Sequence, residues 1–283
     1  MNILVFGKNG QVAQELNALD GTMCLDRDSA DLTNPDTCAA LIEDHNPDAV
    51  INAAAYTAVD KAEEEEPLAT VINGDAPGAM AKVCAALGIP FVHISTDYVF
   101  EGGGDAPWKP SDPTGPLGAY GRSKLAGERA VKAADGTYAI LRTSWVFSPH
   151  GNNFVKTMLR LGAERDSLTI VADQIGGPTA ARDIAAACHR IACALKDAPE
   201  KSGIYHFSGA PDCSWADFAR EIFSQAALEC QVTDIASAAY PTPATRPLNS
   251  RMDCSSTTTA FGIDRPEWRV SLNHILTDLG ALS

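Results

Sequence analysis

The sequence predicts an α/β protein, a Rossmann-type doubly wound parallel sheet with a smaller, partly interleaved carboxyl-terminal substrate-binding region. Three observations predict it. Short β-rich runs alternate with longer helical patterns through the first half of the chain. The first run passes directly into a glycine-bearing turn that opens a helix, as in dinucleotide-binding units. The strand runs are continuously apolar, as strands covered on both faces must be. At 283 residues the chain is long enough for one large unit with a second region built onto it.

Taken in order, Ile3–Phe6 reads as the first strand, 11–19 as a helix and Thr22–Leu25 as the second strand. Ala49–Asn52 is the next strand, and 67–87 reads as one long helix. A strand at 91–95, a helix at 120–134 and a strand at 138–141 complete the regular alternation. After about Trp145 the rhythm loosens. "SLTIVAD" and "TAARDIAAACHRIACALKD" read as extensions of the sheet, whereas the proline-rich "AAYPTPATRPLNSRMDCS" reads as loop. The expected division is a cofactor-binding domain over 1–145, joined by about 168–200, with 146–283 mainly binding substrate.

A net charge of −14 argues against a protein that grips a nucleic-acid backbone and disfavours an anionic membrane surface. It leaves room for a small phosphorylated ligand held by a few backbone N–H groups. Eight cysteines without a CxxC pair, and an amino terminus that starts as a strand, lead to the expectation of a reducing, cytoplasmic setting. No apolar run approaches the roughly 20 residues that a membrane-spanning helix needs. Six histidines lie scattered without HxxxH or HExxH spacing, so no metal is predicted.

Gly7, Gly10 and Ala13 form a GxxGxxA turn after the first strand, where a pyrophosphate would rest on exposed N–H groups at a helix start. A tight βα turn with no ligand would carry the same glycines. Asp26, just past the second strand, stands where an acid meets the adenosine ribose hydroxyls. Its neighbour Arg27 suits a 2′-phosphate, leaving NADH and NADPH both open. Small residues at 52–55 let the chain pass close beside a cofactor, while the acidic run 63–66 reads as a solvated helix end.

Tyr120 and Lys124 stand four apart on a predicted helix and so share a face. A phenol has a pKa of about 10, and a neighbouring ammonium favours its phenolate. That spacing predicts an acid–base pair, although a surface tyrosine lying on a lysine stem has the same pattern. Thr96 and Asp97 end the strand in "FVHISTDYVF", at the sheet edge where parallel sheets hold ligands. A Thr96 hydroxyl there would donate to a substrate carbonyl oxygen.

The glycine turn, the strand-end hydroxyl and the YxxxK together resemble the extended short-chain dehydrogenase/reductase superfamily. The segments "NILVFGKNGQV", "NAAAYTAVDKAE", "STDYVF", "YGRSKLAGE", "LRTSWVF", "GNNFVKTMLRL", "DQIGGPT" and "RPLNSRMDC" resemble, more narrowly, the dTDP-4-dehydrorhamnose reductase family across nearly the whole chain. The resemblance implies reduction of the C4 ketone of a dTDP-linked 4-keto-6-deoxy sugar by NADH or NADPH. Tyr120 would give the proton, and Lys124 would tune it and hold the nicotinamide ribose. Gly10, Gln11 and Val12 would cradle the phosphates, Asp26 would meet the ribose, and Asp31 and Leu32 would flank the adenine. Ala53, Ala55, Tyr56 and Thr57 would line the cofactor, where relatives often carry histidine in place of Tyr56. Thr96 and Asp97 would meet the substrate, with Trp145 facing its sugar ring.

By the same resemblance Asn73 steadies the helix beneath the site. Relatives hold Mg²⁺ at a homodimer contact through glutamates; Glu15 matches one such position, but the others cannot be placed. Arg246, Asn249 and Arg251 suit phosphate binding or pocket closure, and equally a surface ion pair or a turn. Two rival functions share these features. One is a reductase or epimerase of another nucleotide sugar, and the other is a non-catalytic subunit like the methionine adenosyltransferase beta subunit.

Overall fold

The computed structural model describes residues 1–282. The first half runs β1 (Ile3–Phe6), α1 (Gln11–Asn17), β2 (Thr22–Leu25), α2 (Pro35–His45), β3 (Ala49–Asn52), α3 (Val59–Ala62), α4 (Glu66–Thr70), α5 (Ala76–Leu87), β4 (Phe91–Thr96), α6 (Ala119–Ala133) and β5 (Tyr138–Thr143). Shorter elements follow: β6 (Val146–Phe147), α7 (Phe154–Glu164), β7 (Ser167–Val171), β8 (Ile175–Gly176), β9 (Thr179–Ala180), α8 (Ala181–Asp197) and β10 (Gly203–His206). The chain ends with β11 (Cys213–Ser214), α9 (Trp215–Gln225), β12 (Gln231–Ile235), β13 (Asn249–Ser250), α10 (Ser255–Phe261) and α11 (Trp268–Asp278).

Six parallel strands stand in the order β10-β5-β4-β3-β1-β2, so the winding reverses between β1 and β3. A ligand crevice belongs at the carboxyl ends of the strands beside such a reversal. One face of the sheet is covered by α1 and α8, which pack Val12, Leu16, Ile184, Cys188 and Ile191 against Val5, Ile51 and Leu141. On the other, Ile42 of α2, Met80 of α5 and Val131 of α6 pack against Leu4, Val50 and Ile140. A separate apolar cluster joins α7, α9 and α11 around Phe218, Ile222, Trp268 and Leu272. Among the described residues, no helix is long and apolar enough to cross a membrane.

Two expectations need correction. "SLTIVAD" supplies β7, but β7 pairs with β12 in a separate two-stranded sheet. Its residues alternate between exposed and covered, unlike the fully buried β1 and β3. The sixth place in the central sheet goes to β10, beyond residue 200, while α8 does pack on the sheet as expected.

The predicted helix 67–87 is interrupted by a π-helical turn, Val71–Asp75, between α4 and α5. Pro77 has no N–H to offer the carbonyl of Asn73, four residues back, and a widened turn carries the chain past that break. The freed backbone sits hard against α6: a Cβ on Gly127 would lie 2.1 Å from the Asn73 carbonyl oxygen. Only glycine permits that approach.

A buried ion pair fixes the next turn of α6. Arg142 of β5 donates from Nε and Nη2 to Glu128 at 2.9 and 2.6 Å, and the Ser95 hydroxyl donates to the same carboxylate at 2.6 Å. The guanidinium also lies 4.9 Å from the centre of the Phe100 ring. Both charged side chains are buried, so losing either partner strands the other in a medium that cannot hydrate it. Glu128→Gln should therefore lower unfolding free energy by about 3–5 kcal/mol in chemical denaturation, and the double variant Glu128→Leu/Arg142→Met should recover most of that loss.

Candidate active site

The carboxyl edge of the sheet gathers residues far apart in sequence. After β1, Gly7 adopts φ +110, which a side chain would strain, and its Cβ position lies 3.2 Å from the Ala54 N. Gly10 caps α1 with nothing within 4 Å of its Cβ position, so the first turn is open to close approach. Gln11 Oε1 accepts from Ser148 Oγ at 2.8 Å and from Asn153 Nδ2 at 3.0 Å. That side chain thereby ties α1 to the loop before α7. Val12 is buried in the sheet core, which leaves its backbone as the part available to a phosphate.

Asp26, at the end of β2, accepts from the Ser29 N–H and hydroxyl at 3.0 and 2.7 Å, with Lys8 Nζ 3.6 Å away. Those bonds, and then Lys8, hold its carboxyl below the usual range. Asp31 accepts from the Thr33 N–H at 3.0 Å and pairs with Arg27 at 3.7 Å, while the Leu32 side chain is packed in the core. Beyond β3, Ala53 and Ala55 are half-buried and Thr57 is exposed.

Tyr56 is held firmly. Its N–H donates to Asn73 Oδ1 at 2.8 Å, and Asn73 Nδ2 donates to the Tyr56 carbonyl at 3.0 Å and to Ser123 Oγ at 2.9 Å. Ser123 donates in turn to the Tyr120 carbonyl at 2.7 Å. The π turn thus connects the segment after β3 to α6 through one asparagine.

The acidic run expected to be a solvated helix end proves largely engaged. Glu63 accepts from the Ala119 N–H at 2.8 Å and so caps α6. Glu65 accepts from the Tyr56 hydroxyl at 2.8 Å, and Glu66 takes the Arg122 guanidinium at 2.7 and 2.8 Å. A start of α6 that carries functional side chains needs such fixing, and the run supplies it across 56 residues of sequence.

Tyr120 and Lys124 both turn towards β4. The Tyr120 ring, half-buried, meets Tyr98 edge-on at 5.7 Å. Burial pushes its phenol up to about 12, the Asp97 charge adds to that, and the Thr96 hydroxyl eases it. Lys124 is buried and donates to the Ile94 carbonyl at 2.6 Å, with His93 Nε2 at 3.3 Å. Burial brings its ammonium down to about 8 against the pull of Glu128. Lys124 is engaged with the strand backbone, and loss of solvent is the largest influence on the tyrosine.

Thr96 donates to Asp97 Oδ1 at 3.0 Å and accepts from the Tyr98 N–H at 3.2 Å. Buried Asp97 is pushed up to about 6, eased by the Ser250 and Thr96 hydroxyls. Its Oδ2 is a buried acceptor without a hydrogen-bond partner. Trp145 follows β5 with φ 49, unusual for a side-chain-bearing residue, and its indole stacks on Trp215 at 3.6 Å. One face of the ring expected to meet the sugar is therefore covered.

Arg246 forms the ion pair with Asp60 of α3, at 2.8 and 2.9 Å, and Asn249 binds the Gly103 and Ala106 carbonyls and Arg251. These residues stitch the late loop over the site's flank. Glu15 contacts His150 at 3.2 Å. His93, Ser123, Glu128 and Arg142 were not identified from sequence, and Asn52 and Glu63 were noted there without these partners. A lone histidine in an apolar strand gives no signal of its partners.

A family model described as RmlD substrate binding domain matches residues 1–281. A dTDP-4-dehydrorhamnose reductase of Sinorhizobium fredii is 45% identical, over 98% of this chain and 97% of that protein. Its counterpart in Salmonella typhimurium is 42% identical, over 99% and 98%. The solved dTDP-4-dehydrorhamnose reductase of Clostridium acetobutylicum has a TM-score of 0.91 at 38% identity, covering 99% of this chain and 100% of that one. That of Bacillus anthracis, in complex with NADP, has a TM-score of 0.91 at 35% identity, covering 98% and 100%. With relatives this similar along their whole length, the chain belongs to the dTDP-4-dehydrorhamnose reductase family.

Proposed function

We propose that this chain reduces the C4 ketone of dTDP-4-dehydro-L-rhamnose to the alcohol of dTDP-L-rhamnose, with Tyr120 as proton donor. The observation that carries the reading is the Tyr120 phenol set beside the Thr96 hydroxyl at the crevice edge of β4, with Lys124 one helical turn further on. A bound reduced nicotinamide supplies hydride to the ketone carbon. The remaining chemistry belongs to the protein. Thr96 donates to the ketone oxygen and steadies the charge that grows there. Tyr120 transfers its O–H proton to that oxygen and recovers one from solvent after product leaves. Lys124 and Asp26 hold the two ribose units of the cofactor, while the open first turn of α1 takes its phosphates.

Asp97 offers its free buried oxygen to a sugar hydroxyl, and the uncovered part of Trp145 borders the ring. The cofactor fits the residues present. Gly7 and Gly10 leave the backbone accessible, and Asp26 is an anion suited to paired ribose hydroxyls. Lys8 and Arg27 beside it provide positive charge for a 2′-phosphate, so both reduced cofactors should be used.

Tyr120→Phe should bind NADPH as the parent does in a fluorescence titration yet lose about 10²–10⁴-fold in kcat. An unchanged kcat would remove Tyr120 from the role. Presented with dTDP-, UDP- and GDP-linked 4-ketosugars, the enzyme should consume added NADPH stoichiometrically, fastest with the dTDP compound. A sugar epimerase would turn over with no net consumption. Asp26→Asn removes an anion that repels a 2′-phosphate, so the ratio of kcat/KM for NADPH over NADH should rise about tenfold, or ~1.4 kcal/mol.

A further inference from the structure

Beneath the proposed site, three buried side chains from different elements form a line that the sequence did not reveal: Asn52 at the end of β3, His93 within β4 and Lys124 on α6. Asn52 Nδ2 lies 3.2 Å from His93 Nδ1, and His93 Nε2 lies 3.3 Å from Lys124 Nζ. Each contact admits two assignments of the hydrogens in isolation. Together they admit one.

The assignment starts from a backbone group. Asn52 Oδ1 is 3.1 Å from the Ala54 N–H, a group that can only donate, so the amide oxygen must face it. The Asn52 NH₂ therefore faces His93, and Nδ1 must receive its hydrogen. His93 is fully buried, and burial, the larger cause, keeps its pKa well below that of an ordinary imidazole whichever form Lys124 takes. A neutral imidazole carries one N–H, which must then be on Nε2, directed at Lys124. An ammonium has no lone pair to receive it. An amine has one, and still keeps a hydrogen for the Ile94 carbonyl 2.6 Å away.

We propose that Asn52 and His93 act as positioning residues that lock an Nε2–H donor against Lys124 and so favour its amine form. The burial of Lys124 works in the same direction. Glu128 acts the other way and favours the ammonium, while the other charges near α6 are engaged or remote. Glu128 is bound by Arg142 of β5 and by Ser95, Glu63 caps α6, Glu65 holds Lys61 and Tyr56, Glu66 holds Arg122, and Asp60 holds Arg246. Asp75 and Lys82 face solvent, while Asp97 and Tyr98 lie towards Tyr120 at the far end of β4. The consequence for catalysis rests on Lys124 serving the reductase site proposed above; the protonation states do not, and can be read without substrate or cofactor.

The test is NMR on the full-length protein. With ¹⁵N-labelled histidine, and His93 assigned by its loss in His93→Gln, the parent should show a neutral ring protonated on Nε2 from about pH 6 to about pH 9. A proton on Nδ1, or an imidazolium, would overturn the proposal. With ¹³Cε-labelled lysine, and Lys124 assigned through Lys124→Arg, its titration should fall at least one pH unit below the other lysines; titration among them would also overturn it. In Asn52→Asp, Oδ1 still accepts from Ala54 while the second oxygen demands a donor from Nδ1. The histidine proton should move to Nδ1, and the Lys124 midpoint should rise by at least one pH unit. An unmoved proton or an unmoved midpoint refutes the lock. Should Asn52→Asp fail to fold, the two parent measurements decide alone.

Discussion

The structure depends on how one helix seats against two strands and a π turn. Tyr120, Ser123, Lys124, Gly127 and Glu128 occupy positions i, i+3, i+4, i+7 and i+8 of α6, the spacing that in an ordinary amphipathic helix forms the apolar stripe facing the core. Here nearly every position on that stripe has a polar or backbone partner. Ser123 meets Asn73, Lys124 meets Ile94 and His93, Gly127 lies on the Asn73 backbone, and Glu128 takes Arg142. Hydrogen bonds are directional, so this face fixes the height and rotation of α6 more sharply than apolar packing alone. Tyr120 inherits its place from that seating.

Much of the fold was legible because burial on both faces writes continuous apolar runs into β1, β3, β4 and β5, and glycine marks the turn after β1. The edge of the sheet was not. β10 is a four-residue run with nothing to distinguish it from β7 until its partner β5 is known. Spacing within α6 likewise revealed Tyr120 and Lys124, because a helix brings i and i+4 together whatever surrounds it. It could not reveal that Glu128 meets Arg142, or that Lys124 meets a histidine 31 residues earlier in the chain. In the acidic run 63–66, Glu63 and Glu64 do lie exposed at a helix end, as expected, but the run's partners, a tyrosine, a helix start and an arginine, are supplied by the tertiary fold and could not be read from it.

The two titratable residues that define the proposed chemistry are shifted towards their neutral forms by the same cause. Burial raises the Tyr120 phenol and lowers the Lys124 ammonium. Asp97 follows the rule, pushed up by burial.

For reduction, a raised phenol is an asset. A proton donor must keep its proton while hydride moves and release it only when an alkoxide, a stronger base than phenolate, has formed. A phenol lowered towards neutrality would be partly ionised beforehand, and each ionised molecule would lack the proton that the reaction needs. In the proposed reaction the Asp97 charge opposes phenolate formation before the transfer, and the Thr96 hydroxyl favours the phenolate after it. The reverse of the proposed transfer passes through the same states, so a scarcer phenolate is matched there by a stronger base, and the net direction is left to the reactants.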